Sequence, residues 1–570
     1  MTTRPCPLIL DPEPGRVRTL LYGTPPFDYV ADTAEEWAVK GFAGFIRPDV
    51  MPGWQVDVWE TADGTRIAGE RNPKLRACRR MNRKLREAGV SDNFIAVPFS
   101  KHLPDWFDGD GWRGLCENFR QAARFCRMAG FTGVALDDEY IEEQLGLNYS
   151  AYREPGYPFD RLREQARLRG RQIQRAMLDE FPDMVTFHLP ETYSIEGELA
   201  KDLFLGYLDM LAEADAPGGM HVLPECTYFQ TNAHWIAVYG YGLDRVLIDD
   251  LTAMRPRLGK YWKRRCGVAL GQAPLGYLRF IRDAEGKRIG YGGRKEAFAD
   301  RIIRAGEDKS GNYSAKVFHE THAACRMASR RYTWIFSGGP VWWQMTPEQH
   351  TKYGGPDTAV IPLTPEFDEY TEPLRNPKII DRPEFQKMMK GMREHSVVDT
   401  LEGLGMPRTW WVNGPYPNPA GKGYHIKHEP ERRINLGARS EGAWAEVGWK
   451  RVATPPMAYV DLSRLIAGGV EIQGYAATWV ETDSEVDAVI RFGSDDTGKL
   501  WLNRSLIHES NTERIAVPDE DTIRIALPAG RSVFLLKIGN YRGGWGFYFR
   551  ITDEDGKEIP SLRWVDGPTG

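Results

Sequence analysis

The amino-acid sequence predicts an α/β fold: a (β/α)8 TIM barrel followed by a C-terminal antiparallel β-sandwich of jelly-roll type. Three observations carry this. Strand-like and helix-like segments alternate through residues 1–345. The segment Phe131–Tyr140 (FTGVALDDEY) is mostly apolar until it stops on Asp137, Asp138 and Glu139, as a buried parallel strand does when its carboxyl end opens on a site. From about residue 456 the pattern becomes short period-two runs split by Gly and Asp turns, the signal of an antiparallel sandwich. At 570 residues the chain exceeds one ordinary domain, and two or three are expected.

Eight strands are read in order: Thr19–Gly23, Gly41–Ile46, Asn93–Phe99, Thr132–Leu136, Met184–Leu189, Met220–Leu223, Gly267–Leu270 and Tyr332–Phe336. Apolar residues at helical spacing mark helices over Pro73–Ala88, Gly111–Met128, Asp160–Phe181 and Leu199–Ala212. Gly89 and Gly130 fall just past helix ends, where a left-handed cap needs them. The run LIDDLTAMRPRL reads as helix, although Ile248 to Asp250 compete as a strand. No GxGxxG follows the first strand, which sets aside an open dinucleotide-binding sheet.

Residues 346–455 lose this rhythm. They are rich in Pro and Gly (NGPYPNPAGKG, Asn413–Gly423) and read as an irregular bridging region packing on the barrel, with a strand near Arg408–Val412. Its aromatic residues, Trp410, Trp411, Tyr416 and Tyr424, predict a fixed interface, not a flexible tether. Residues 456–570 form the sandwich, with strands at Val486–Phe492, Lys499–Leu502, Thr522–Leu527 and Ser532–Ile538.

Composition narrows the function classes. A net charge of −5 gives no electrostatic reason to expect nucleic acid or an anionic membrane as partner. No stretch is long and apolar enough to span a bilayer. The seven cysteines include no CxxC pair, so neither a disulfide framework nor a zinc site is indicated. The N-terminus, MTTRPCPLIL, does not make a signal peptide; a cytoplasmic chain is expected, or a secreted or periplasmic one if a signal has been removed. No oligomeric state follows from the sequence.

In a (β/α)8 barrel, reacting groups come from strand ends. The fourth strand ends in Asp137, Asp138 and Glu139, the fifth carries His188 and runs into Glu191 and Tyr193, and the sixth runs into Glu225 and Tyr228. Three successive strands ending in carboxylates suit cleavage of a glycosidic bond, which needs one acid to protonate the leaving oxygen and another as base or nucleophile. Glu139 and Glu225 are the favoured pair, with Asp137 orienting Glu139. Side chains alternate along a strand; the small Gly133 and Ala135 share the face of Asp137 and Glu139, so that face is placed inward and Asp138 stands second. Sugar contacts are expected from Arg47 after the second strand, His102 and Trp106 after the third, Gln272 after the seventh, and Trp342 and Trp343 after the eighth, together with His188, Tyr193 and Tyr228. His319-Glu320-Thr321-His322 lacks metalloprotease spacing and reads as a solvated helix face. Asp495 and Asp496 read as a hairpin turn, not as calcium ligands.

GFTGVALDDEY resembles the fourth-strand signature of several (β/α)8 glycoside hydrolase families, and YTWIFSGG resembles their eighth strand. The likeness covers roughly residues 15–345 and assigns no single family. Gln272 stands where the commonest clan has its second carboxylate, which argues against that clan. Families resembling α-galactosidases and α-glucosidases use the fourth and sixth strands, a layout that Asp138 and Glu225 would fit, though those families usually have Asp at both places. DDEY keeps only a fragment of the chitinase-like DxxDxDxE pattern. GSDDTGKLWLNRSLI and IALPAGRSVFLLKIGNYRGGWGFYFRI resemble jelly-roll accessory domains found beside such barrels, with Arg504 where Gly is usual in the hairpin. The resemblance implies a glycosidase acting on an oligo- or polysaccharide, with no cofactor or metal. The alternative is a non-catalytic carbohydrate-binding protein on the same scaffold, or another sugar-active barrel hydrolase or lyase.

Overall fold

The computed structural model describes residues 17–98, 104–138, 157–189, 198–228, 230, 232–275, 280–282, 288–291, 315–336, 342–343, 345–354, 367–394, 397–514, 516–541 and 544–568. The chain divides into two compact units. One draws on Leu8–Arg279 and Gly292–Ile380; the other contains Asp381–Gly570 and the Phe280–Tyr291 segment.

The first unit is built on parallel strands: β1 (Arg18–Tyr22), β2 (Gly44–Arg47), β3 (Phe94–Val97), β4 (Gly133–Asp137), β5 (Val185–Leu189), β6 (Met220–Val222), β7 (Gly267–Val268), β8 (Gly271–Gln272) and, beyond an antiparallel pair of the other unit, β9 (Phe280–Arg282) and β10 (Arg288–Tyr291), β11 (Tyr332–Phe336). Their order is β7-β6-β5-β4-β3-β2-β1-β11-β8. Because β7 and β8 are successive pieces of one stretch, with β7 on β6 and β8 on β11, the sheet returns on itself. The seventh strand, expected as Gly267–Leu270, is therefore longer than read and split at Ala269 and Leu270. The other strands lie within a few residues of their expected bounds.

Helices alternate with the strands: α1 (Phe27–Asp32), α2 (Ala34–Lys40), α3 (Pro73–Glu87), α4 (Gly109–Ala129), α5 (Phe159–Leu178), α6 (Glu198–Glu213), α7 (Ala233–Met254), α8 (Pro256–Arg265) and α9 (Ala315–Ala328). None of the described helices is long and apolar enough to cross a membrane. Their ends follow local chemistry. Asn72 caps α3 by accepting from Lys74 N, with Pro73 at the first helical position. Gly130 ends α4 at φ +76°, a left-handed conformation that glycine adopts without strain.

Side-chain parity separates an inner from an outer face. Phe94 of β3 stacks on Phe187 of β5 at 4.1 Å, and both meet Tyr332 of β11 across the barrel. His221 of β6 joins this inner layer, 5.3 Å from Tyr332. Burial, aided by Arg331 and Arg330, pushes His221 well below its usual pKa and keeps the ring neutral.

Outside the sheet, α5 and α6 cross closely. Arg163, Arg167 and Arg171 of α5 pair with Asp202, Asp209 and Glu213 of α6 at 2.6, 2.6 and 2.8 Å. Gly170 and Gly206 let the backbones meet: a Cβ on Gly170 would lie 2.1 Å from Leu203 O. Gly170→Ala therefore forces the helices apart, and should cost about 1–3 kcal/mol of barrel stability despite the better helix propensity of Ala. The check is the denaturation midpoint; a value at or above that of the parent chain would show that the crossing tolerates a methyl group.

The second unit is a two-sheet sandwich. In addition to Thr409–Pro417 (β12), its larger sheet contains Ile472–Thr482, Thr497–Leu502, Ser505–Ser510 and Gly530–Asn540; the smaller contains Val460–Asp461, Val486–Asp495, Asp521–Leu527 and Gly546–Thr552. Trp410, Ala476, Leu500, Leu536 and Ile538 from the first sheet and Ile490, Phe492, Phe547, Phe549 and Ile551 from the second form one buried core. The strand expected near Arg408–Val412 is thus a member of this sheet, paired with Ile472–Thr482. The region read as a bridge over 346–455 is divided at Asp381 between the two units. At the hairpin Asn503 and Arg504 take φ +48° and +75°, as the two central residues of a type I′ turn must. Asn503 fixes the turn by accepting from Val533 N at 2.9 Å.

Asp461 caps the helical turn Leu462–Leu465, its Oδ1 accepting from Ser463 N at 2.9 Å. Its Oδ2 is buried without a hydrogen-bond partner among the described residues. Burial raises this carboxyl from 3.8 to about 6, although the Ser463 hydroxyl and Arg464 oppose the shift. The folded state then holds a proton that the unfolded chain releases, so the contribution of Asp461 to stability falls as pH rises from about 3.8 to about 6 and stays low above that. Asp461→Asn keeps the cap and removes the titration. Relative to the parent chain it should gain up to about 3 kcal/mol between pH 4 and pH 7. Unfolding curves at the two pH values test this; a pH-independent difference would refute it.

Candidate active site

Glu225 stands three residues beyond β6, half-buried at the carboxyl end of the barrel. Its neighbourhood is aromatic. Tyr228 Oη donates to Glu225 Oε1 at 3.1 Å. The Tyr228 ring stacks on Phe336 at 5.3 Å and meets Trp334 edge-on at 5.2 Å. Tyr22, the last residue of β1, leans on both Trp334 and Phe336, at 5.9 and 5.4 Å. Tyr22 pairs with Phe336 in register, and both share the parity of Tyr332, so these rings line the inner face at the carboxyl ends of β1 and β11. Trp334 and Tyr228 are buried, whereas Tyr22 and Phe336 are half-buried.

The local fold dictates this cluster. A Cβ on Gly271 would lie 2.7 Å from the Trp334 ring and 2.8 Å from the Tyr228 ring, so only glycine leaves room for both. Thr227 Oγ1 donates to Gly271 O at 2.7 Å, which ties the loop bearing Glu225 and Tyr228 to the split strand.

β4 runs into the expected acids Asp137 and Asp138. Asp137 pairs with Leu189 and Ala135 with Phe187, so Asp137 shares the inner parity of Phe187 and is buried there. Asp138 takes the opposite parity. Its Oδ2 meets His188 Nε2 at 2.9 Å, both side chains fully buried, and the His188 ring lies 5.1 Å from Phe204 and 6.0 Å from Tyr207 of α6. Asp138 and His188 thus belong to the layer between sheet and helices.

Other expected contacts also have partners away from the barrel mouth. Arg47 is fully buried on the outer face, paired with Asp49 at 2.7 Å, above the Phe27 ring and near Met81 of α3. Trp106 is buried against Trp112 at 5.6 Å. Trp342 is buried among Phe42, Phe318 and Phe367, and Trp343 is buried as well, so neither offers a ring face to a sugar. Gln272 points outward, its amide Nε2 donating to Thr321 Oγ1 at 2.8 Å and its Oε1 facing His322 Nδ1 at 3.0 Å. The same contacts correct the reading of the His319–His322 run as a solvated face: Thr321 and His322 are buried. Asp496 accepts from Arg514 N at 3.2 Å and Tyr541 N at 2.7 Å, so its carboxylate holds main chain. Glu139, Glu191, His102 and Tyr193 lie outside the described residues.

Sequence reasoning missed Tyr22, Trp334 and Phe336. The signal was present: two of them close a strand, and all three share the parity of the inner layer. Cys226, beside Glu225, is half-buried; the other described cysteines are buried, except the half-buried Cys116.

The chain matches no protein-family model and no curated protein. Among solved structures it is similar to a glucosidase from Croceicoccus marinus, at 8% identity and TM-score 0.33 over 92% of this chain and 95% of that one. It is also similar to an endo-1,4-beta-mannanase from Rhizomucor miehei, at 9% identity and TM-score 0.35 over 66% and 98%. The Old Yellow Enzyme from Pichia sp. AKU4542 aligns at 10% identity and TM-score 0.29 over 56% and 79%.

Because Gln272 faces α9 and not the barrel mouth, Gln272→Leu should act on stability alone. It leaves His322 Nδ1 without the Gln272 acceptor, a loss of about 1–3 kcal/mol, while Thr321 Oγ1 still donates to Val317 O at 3.0 Å. Unfolding curves check this; an unchanged midpoint would place Gln272 elsewhere.

Proposed function

We propose that the first unit is a glycoside hydrolase in which Glu225 and a carboxylate at the end of β4 cleave the glycosidic bond. The observation that carries this reading is the placement of Glu225, held by Tyr228 at 3.1 Å, within a set of inner-face rings at the carboxyl end of the barrel. Acids and flat apolar faces are what the chemistry requires. One carboxyl protonates the leaving oxygen, the other attacks the anomeric carbon or activates water, and the rings pack against the apolar faces of the sugar. Tyr228 fixes the orientation of Glu225, so the carboxylate need not be ordered when substrate binds. Asp137 is the described β4 acid with inner parity. Tyr22 and Phe336, half-buried at the same end, are the proposed sugar platform.

The test is hydrolysis of a panel of aryl α- and β-glycosides and unlabelled oligosaccharides. Glu225→Gln should lower kcat by about 10²–10⁴ or more on the glycoside cleaved, with the fold intact by circular dichroism. Asp137→Asn and Glu139→Gln, compared side by side, identify the β4 partner by which one loses turnover. Cleavage that survives Glu225→Gln at the parent rate would end the proposal. Binding of glycans without turnover across the panel would favour a carbohydrate-binding protein.

A further inference from the structure

The His188–Asp138 pair takes no part in the chemistry proposed above, yet it is one peptide unit from Asp137. Asp138 N donates to Leu189 O at 2.9 Å, and Asp137 pairs in register with the same Leu189. The side-chain bond from Asp138 to His188 spans the same two strands from the outer face, at 2.9 Å. The last residues of β4 are therefore held to β5 by a main-chain bond and a side-chain bond at once.

Stability alone does not explain the pair. Both side chains are fully buried, and among the described residues Asp138 Oδ1 and His188 Nδ1 have no hydrogen-bond partner. An apolar pair of similar volume would avoid those orphaned atoms, and such replacements are often neutral or stabilising. What an apolar pair would lack is direction: a hydrogen bond fixes one rotamer of each residue and one register between the strands. We propose that His188 and Asp138 are positioning residues that set the register of the β4 end and thereby aim Asp137 into the barrel. This rests on the reading of Asp137 as one of the acting acids. It also moves Asp138 from a reacting role to a supporting one.

The experiment compares His188→Leu/Asp138→Leu, which removes the bond at similar volume, with His188→Gln, which keeps a donor. Two readouts are taken: kcat and KM on a glycoside that the parent chain cleaves, and hydrogen exchange of the β4 amides. The double variant should fold, lose about 10- to 100-fold in kcat with little change in KM, and exchange the Asp138 amide about tenfold faster while amides of the other strands hold. His188→Gln should recover part of both losses. Unchanged exchange at the end of β4 overturns the proposal whatever the activity. Faster exchange with an unchanged kcat overturns it as well, since the register would then not matter to the acid. If the double variant does not fold, Asp138→Ala, which removes the bond with the smaller change, is measured instead, and parent-like kcat and exchange in it would overturn the proposal. A parent chain that cleaves no glycoside defeats the proposed function, and the exchange readout still decides whether the pair fixes the strand end.

Discussion

The barrel depends on how six residues, Gly267–Gln272, close it. Neither β7 nor β8 is long enough to pair with both neighbours, so the break between them exposes main-chain groups in the middle of a buried wall. Each finds a partner. Ala269 O accepts from the Trp334 indole at 3.1 Å, Leu270 N donates to Ser329 Oγ at 3.0 Å, and Leu270 O accepts from Thr333 Oγ1 at 2.7 Å. An orphaned buried group would cost about 1–3 kcal/mol, so the side chains of β11 and the residue just after α9 are part of the closure. The outer face is sewn by a second chain of bonds. Gln272 holds His322, His322 meets Thr19 Oγ1 at 3.2 Å, and Arg326 donates to Thr19 at 3.1 Å. One proton order satisfies the chain: the His322 ring donates from Nδ1 to the Gln272 carbonyl and accepts at Nε2 from the Thr19 hydroxyl.

This closure also sets the candidate site. Trp334 bonds across the break with its indole and meets Tyr228 with its ring, so the residue that completes the wall also orders the mouth. Gly271 has no side chain because those two rings occupy the space. The loop with Glu225 is then anchored on Gly271 through Thr227. Structure and proposed chemistry share residues here, which is why a change at Gly271 would disturb both.

Much of the fold was legible because period-two and 3.6-residue patterns are local. The strand FTGVALDDEY and the cap at Gly130 follow from neighbours in the chain. Parity within a strand was legible for the same reason: Gly133 and Ala135 mark the crowded inner face, and Asp137 shares it. What the sequence could not carry was the destination of long side chains after a strand ends. Trp342 and Trp343 follow the eighth strand just as sugar-binding residues do, but Trp342 packs on Phe318 of α9 and Trp343 is buried as well. Arg47 and Gln272 sit at strand ends with outer parity, and a parity count would have removed both. The division of residues 346–455 was hidden because β12 pairs with Ile472–Thr482, a strand that begins some sixty residues later, a non-local pairing that no local pattern reports.

The cysteines offer a handle on the site. Burial pushes Cys78 and Cys266 up to about 12 and Cys116 to about 11, and Cys126 and Cys325 well above the ordinary thiol range. At neutral pH these sulfurs are protonated and shielded, hence slow to alkylate. Cys226 is the half-buried thiol beside Glu225. In a variant with Cys116 and Cys6 replaced, the latter outside the described residues, a thiol-directed dye on Cys226 would therefore report from the mouth of the barrel, and protection against labelling could rank ligands there before any substrate is in hand.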